Sequence, residues 1–96
     1  MHISFPAEAP RYCGLDPALN FPALVDGRRV PCFITAEALE DHFLAASARE
    51  SDLVDAFQRH RETIEDAARR LLQEIGGRPV LLHSGYFRFY ERGGRD

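Results

Sequence analysis

Cys32 and His42, a thiol and an imidazole ten positions apart, are the side chains of this sequence best suited to nucleophilic chemistry. A cysteine attacks as its thiolate, and at neutral pH it needs a neighbouring base or cation to form one. Cys32 stands between Val30 and Ile34 in a period-two apolar run, where a cysteine acts as a small hydrophobe, so a core position is expected for it. Cys13 lies in a turn-rich stretch with no neighbour that would lower its pKa, and an incidental thiol is expected there. Both are read as reduced thiols: they are far apart, show no Cys-x-x-Cys spacing, and an adequate core does not call for a staple. A thiol-dependent enzyme using Cys32 or Cys13, with His42 as base, is therefore the alternative reading and not the leading one.

His2, His42, His60 and His83 together with the two cysteines show none of the close spacings that make zinc sites readable, so no metal or other cofactor is expected. Glu37, Glu40 and Asp41 cluster, and paired carboxylates can divide acid and base roles when their surroundings split their pKa values. Nothing apolar flanks them to raise a pKa, which predicts a solvated helix face. There is no phosphate loop: Asp26-Gly27 reads as a turn and Gly76-Gly77 as a helix end. No catalytic residue is assigned.

The segment Tyr86-Phe87-Arg88-Phe89-Tyr90 alternates aromatics with arginine and is the candidate interaction surface. Strand pairing and self-association are expected of it, ahead of another protein partner. Stacking on bases is a third reading, an accessory nucleic-acid role using Arg59, Arg61 and Arg88, but Arg92 and Arg95 add too few cations for strong phosphate binding.

Composition bounds these options. The chain has 96 residues, 45% of them apolar, and a formal net charge of −3, which argues against a general nucleic-acid binder. All twelve basic residues are arginine. Residues 1–57 carry four arginines against nine acids and residues 58–96 eight against six, so net charge runs from −5 to +2 along the chain. No run approaches the roughly 18 apolar residues of a membrane span, and the start has neither a basic leader nor a long apolar stretch. A cytoplasmic protein without membrane attachment is expected. One domain over 1–91 with a flexible tail over 92–96 is predicted from length and from the Arg92-Gly93-Gly94 composition.

The elements that must position these residues follow from patterning. His2 to Phe5 is a short terminal strand stopped by Pro6. Leu19–Val25 and Arg28–Ile34 flank Asp26-Gly27 and predict a β-hairpin, with Val30, Cys32 and Ile34 on the core face and Arg29, Pro31 and Phe33 on the other. Pro22 and Pro31 cannot donate ladder hydrogen bonds and predict an edge or bulge in each arm. Thr35 caps a short helix from Ala36 to about Ala46, and Ser47 with Glu50 fits a capping box opening a second. That second helix runs to Gly76-Gly77 as about 24 residues, roughly 36 Å, longer than a small domain is wide. It must overhang, bend, or pack on a second copy. Arg78–His83 predicts a strand, and Tyr86–Tyr90 a second one completing a terminal hairpin.

The run Phe21-Pro22-Ala23-Leu24-Val25-Asp26-Gly27-Arg28, continuing through Val30, Cys32, Ile34 and Thr35 to Glu37-Ala38-Leu39-Glu40-Asp41-His42-Phe43, resembles domain-of-unknown-function family 1488, a group of small bacterial proteins. The likeness extends through Ala56-Phe57, Arg59-His60-Arg61 and Val80-Leu81-Leu82. It implies a compact domain of antiparallel sheet and two helices and transfers no activity or site residue. Family members tend to end near Phe87, so Arg88 to Asp96 departs from the pattern.

The fold expected is α+β in two layers, an antiparallel sheet against one long and one short helix, in the order β-β-β-α-α-β with an optional C-terminal strand. The function expected is that of a non-catalytic interaction or regulatory module that self-associates as a homodimer.

Overall fold

In the computed structural model the described residues are 1–93, with side chains described as far as Arg88. Two short strands, β1 (Ile3–Ser4) and β2 (Arg11–Cys13), precede the hairpin β3 (Ala18–Val25) and β4 (Arg28–Thr35). Asp26 and Gly27 make its turn with φ of 50° and 85°, the pair of left-handed residues that a two-residue hairpin loop needs. The Asp26 side chain also accepts the His2 backbone N–H at 2.8 Å, and the Asp26 N–H donates to the His2 carbonyl at 2.8 Å, so the turn is clasped to the first strand.

The register places Val25 opposite Arg28 and Pro22 opposite Pro31. Counting outward from a two-residue turn, Val25–Arg28 is a hydrogen-bonded pair and Pro22–Pro31 a non-bonded one, so each proline's missing N–H would have pointed away from its partner strand. On those outer sides β1 reaches only Leu24, β2 only Asn20, and β5 (Val80–Leu82) begins opposite Cys32. Both prolines thus sit where no ladder runs, as their chemistry requires. β5 pairs with β4 in parallel, which corrects the all-antiparallel sheet expected: three helices intervene between β4 and β5 and carry the chain back across the sheet, so that β5 runs in the same direction as β4. The strand order is β1-β3-β4-β5, with β2 also on β3.

Alternation sorts the sheet into two faces. Leu19, Phe21, Ala23 and Val25 of β3, with Val30, Cys32 and Ile34 of β4, are buried, and they join buried residues of the helices in one core cluster. Phe21 meets Phe57 with ring centroids 5.1 Å apart, and truncating either to alanine is worth about 3–5 kcal/mol.

Thr35 caps α1 (Ala36–Phe43) as expected, its Oγ1 accepting the Ala38 N–H at 3.0 Å. The capping box is not formed. α2 (Glu50–Arg59) starts after Arg49, and Ser47 Oγ instead donates to Asp52 at 2.6 Å and accepts the Arg49 N–H at 3.1 Å. The long helix breaks at His60 into α2 and α3 (Arg61–Glu74), so of the three outcomes its length allowed, it bends. The break sits where the Arg61 guanidinium reaches back to the carbonyls of Pro6 and Glu8 at 3.1 and 2.8 Å and where His60 packs on Phe43. With two helices of this length the molecule measures 35 × 32 × 22 Å.

The expected terminal strand is a helix, α4 (Ser84–Gly93). The alternation of Tyr86 to Tyr90 suits a strand, but Tyr86 and Tyr90 are also one helical turn apart, and Phe87 is held in the core, edge-on to Phe43 at 5.0 Å. Of the tail expected over 92–96, residues 92 and 93 end α4 and residues 94–96 lie outside the described residues. Among the described residues no helix is long and apolar enough to cross a membrane.

Candidate functional site

For Cys32 the thiol reading fails on burial, while Cys13 is half-buried. Cys32 is fully buried between Val30 and Ile34, and desolvation pushes its thiol up to about 12, so it is not a thiolate near neutral pH. Both cysteines are free. His42 serves elsewhere, with Nε2 3.1 Å from the Ser84 carbonyl and 3.2 Å from Ser84 Oγ. Ser84 Oγ donates to Asp41 at 2.6 Å.

A serine, a histidine and an aspartate are thus in mutual contact, but not as a nucleophilic triad. In a triad the carboxylate orients the imidazole and the imidazole takes the serine proton. Here the carboxylate takes the serine hydrogen bond itself, and Ser84 is 2% exposed beneath the first turn of α4. The three residues tie the N-terminus of α4 to the last turn of α1, and the Asp41 carboxylate lies at the end of α4 that favours negative charge. His83 completes the join: the Tyr86 N–H donates to its Nδ1 at 3.2 Å and to its carbonyl at 3.0 Å, and a Cβ on Gly85 would come within 3.1 Å of its ring.

Of the expected interaction segment, Tyr86 is half-buried with its hydroxyl 3.4 Å from the Ala67 carbonyl, Phe87 is 1% exposed, and Arg88 is exposed; the side chains of Phe89 and Tyr90 lie outside the described residues. Two of the arginines grouped with it are engaged within the chain. Arg59 pairs with Asp55, and Arg61 binds Glu65 at 2.8 Å, stacks on Phe57 and holds the 6–8 loop. Among the described residues no three of His, Cys, Asp and Glu are placed to hold a metal ion.

What sequence reasoning missed is the second face of the sheet. Its outward residues include Pro22 and Leu24 of β3, Pro31 and Phe33 of β4, and Leu81 of β5, which faces outward beside Phe33 at 52% exposure. The buried apolar residues of the helices join the cluster formed with the inward-facing strand residues. Toward the turn this outer face holds a cleft of about 250 Å³ between Arg11, Asn20, Pro22, Arg29 and Glu8. Glu8 accepts both guanidinium nitrogens of Arg29 at 2.8 and 3.0 Å, and that pairing holds its carboxyl below the ordinary 4.5. Toward α1 it holds a hollow of about 500 Å³, lined by Asp16, Thr35, Glu37, Glu40, Leu81 and His83. The outer face therefore carries a basic cleft lined by Pro22 and Pro31 and an acidic hollow lined by Leu81, with Phe33 between them along β4. The signal was available: a two-residue turn at Asp26-Gly27 fixes Pro22 opposite Pro31 and puts Arg29, Pro31 and Phe33 on one face with Pro22 and Leu24.

A family model described as a protein of unknown function (DUF1488) matches residues 3–82, from the first strand to the last. No curated protein and no solved structure matches the chain.

Proposed function

The chain belongs to the DUF1488 family, and from that footing we propose that it is a non-catalytic interaction module that self-associates through the outer face of its sheet. The observation that carries this reading is the outer face itself, where Leu81, half-exposed, lies beside Phe33 and near the paired prolines Pro22 and Pro31. A sheet face of this kind gains roughly 25 cal/mol per Å² of apolar surface when a partner excludes water from it. The Cys32 thiol and the Ser84 hydroxyl, two groups that could act as nucleophiles, are both in the interior, which disfavours an enzyme built on either. Self-association follows rather than capture of an unrelated partner because the face carries charges of both signs, separated along its length.

Light scattering across a concentration series tests the proposal. The wild-type chain is expected to move from monomer toward dimer mass as concentration rises, and Leu81→Glu to remain monomeric with its circular dichroism and melting temperature unchanged. A wild-type chain that stays monomeric at millimolar concentration, or a Leu81→Glu variant that associates as well as wild type, defeats it.

A further inference from the structure

The charges on the outer face define how two copies would meet. The cleft beside the hairpin turn holds two guanidiniums, Arg11 and Arg29, against one carboxylate, Glu8, a net +1. The hollow beside α1 holds three carboxylates, Asp16, Glu37 and Glu40, beside His83, a formal net −3 with histidine uncounted. Arg29 is engaged by Glu8, but among the described residues Arg11 makes no ion pair, and neither do Asp16, Glu37 or Glu40. The two sites are offset along the sheet: Pro22 and Pro31 of the cleft are four residues from Ala18 and Thr35 of the hollow, roughly 13 Å at about 3.3 Å per residue, and Arg11 pairs with Asn20 between those rows.

We infer that a second copy of this chain docks on the outer sheet face about a two-fold axis that sets the Arg11 cleft of each copy against the Glu37–Glu40 hollow of the other, with Leu81 and Phe33 inside the contact. The inference rests on the self-association proposed above and names its geometry. A two-fold axis lying between the sheets exchanges the two ends, so each contact forms twice and the assembly closes as a dimer without propagating. Unpaired charges of opposite sign become partners on both sides at once, and the parallel alignment, cleft on cleft, is opposed by like charge.

Charge reversal with mixing tests this. In Arg11→Glu the cleft becomes net −1, and in the double variant Glu37→Arg, Glu40→Arg the hollow becomes net +1; each homodimer then sets like charges together twice. Each variant alone is expected to self-associate at least tenfold more weakly than wild type, by sedimentation at low salt, with circular dichroism confirming the fold. Mixed in equal amounts they restore opposite charge at both contacts, and dimer of near wild-type affinity is expected to return. Reversed variants that dimerise like wild type, or a mixture that fails to recover, overturn the pairing; if Leu81→Glu still abolishes association, the sheet-face reading survives that failure. A wild-type chain that never associates removes both.

Discussion

Single side chains settle most of the chemistry. With Cys32 buried and its thiol near 12, an aromatic disulfide reagent at neutral pH should titrate one thiol in the folded protein, Cys13, and release the second only when denaturant is added. Two thiols reacting at similar rates in the native state would contradict the burial. Ser84→Ala removes a hydroxyl bonded to the Asp41 carboxylate at a buried position and should cost about 1–2 kcal/mol in urea unfolding. A change near zero would mean that the latch contributes nothing. For Glu8 the folded-state carboxyl titrates below the ordinary 4.5 because Arg29 stabilises its ionised form. The fork's contribution is therefore present above the unfolded pKa and lost as pH falls through the lower folded one. NMR titration of Glu8 should place its midpoint under 4.5, moving to the ordinary range in Arg29→Ala. Cys32 was legible because period-two alternation states which side chains face inward. Ser84 was not, since a serine before glycine reads as a turn, and its partners are more than forty residues away.

Among the elements, the hairpin and α1 were readable because their determinants are local: a turn dipeptide with left-handed φ and a threonine cap. The break at His60 was not, because no glycine or proline marks it and its anchors, Pro6 and Glu8, come from a distant loop. α4 was misread because a five-residue run of aromatics and arginine fits both periods, and packing of Phe87 on Phe43 decides between them. Parallel pairing of β5 is likewise a property of the crossover rather than of Val80-Leu81-Leu82 itself. One local strain remains at the end of α1. Leu44 caps it in the left-handed region at φ 62° with its side chain largely exposed. Since a non-glycine residue there costs roughly 1–2 kcal/mol and little packing is lost, Leu44→Gly should raise stability by about 0.5–1 kcal/mol. Unchanged or lower stability in thermal unfolding would show that Leu44 makes a contact worth more than the strain.

At the scale of the whole molecule, one face of the sheet carries the core and the other carries what is proposed as function. Sequence patterning gave the first directly, through buried alternation. It left the second unread because outward residues are judged by what surrounds them, and the cleft of Glu8, Arg11 and Arg29 is assembled from a loop and two strands. If opposite charges orient the dimer, association should weaken between 0.05 and 0.5 M salt as the Debye length shortens from more than 10 Å to under 5 Å. The most direct measurement is an NMR dilution series on the intact chain. Concentration-dependent shifts are predicted at Leu81, Phe33, Leu24 and Arg11 on the outer sheet face, with α2 and α3 unmoved. Shifts confined to the helices, or none up to millimolar concentration, would contradict the account.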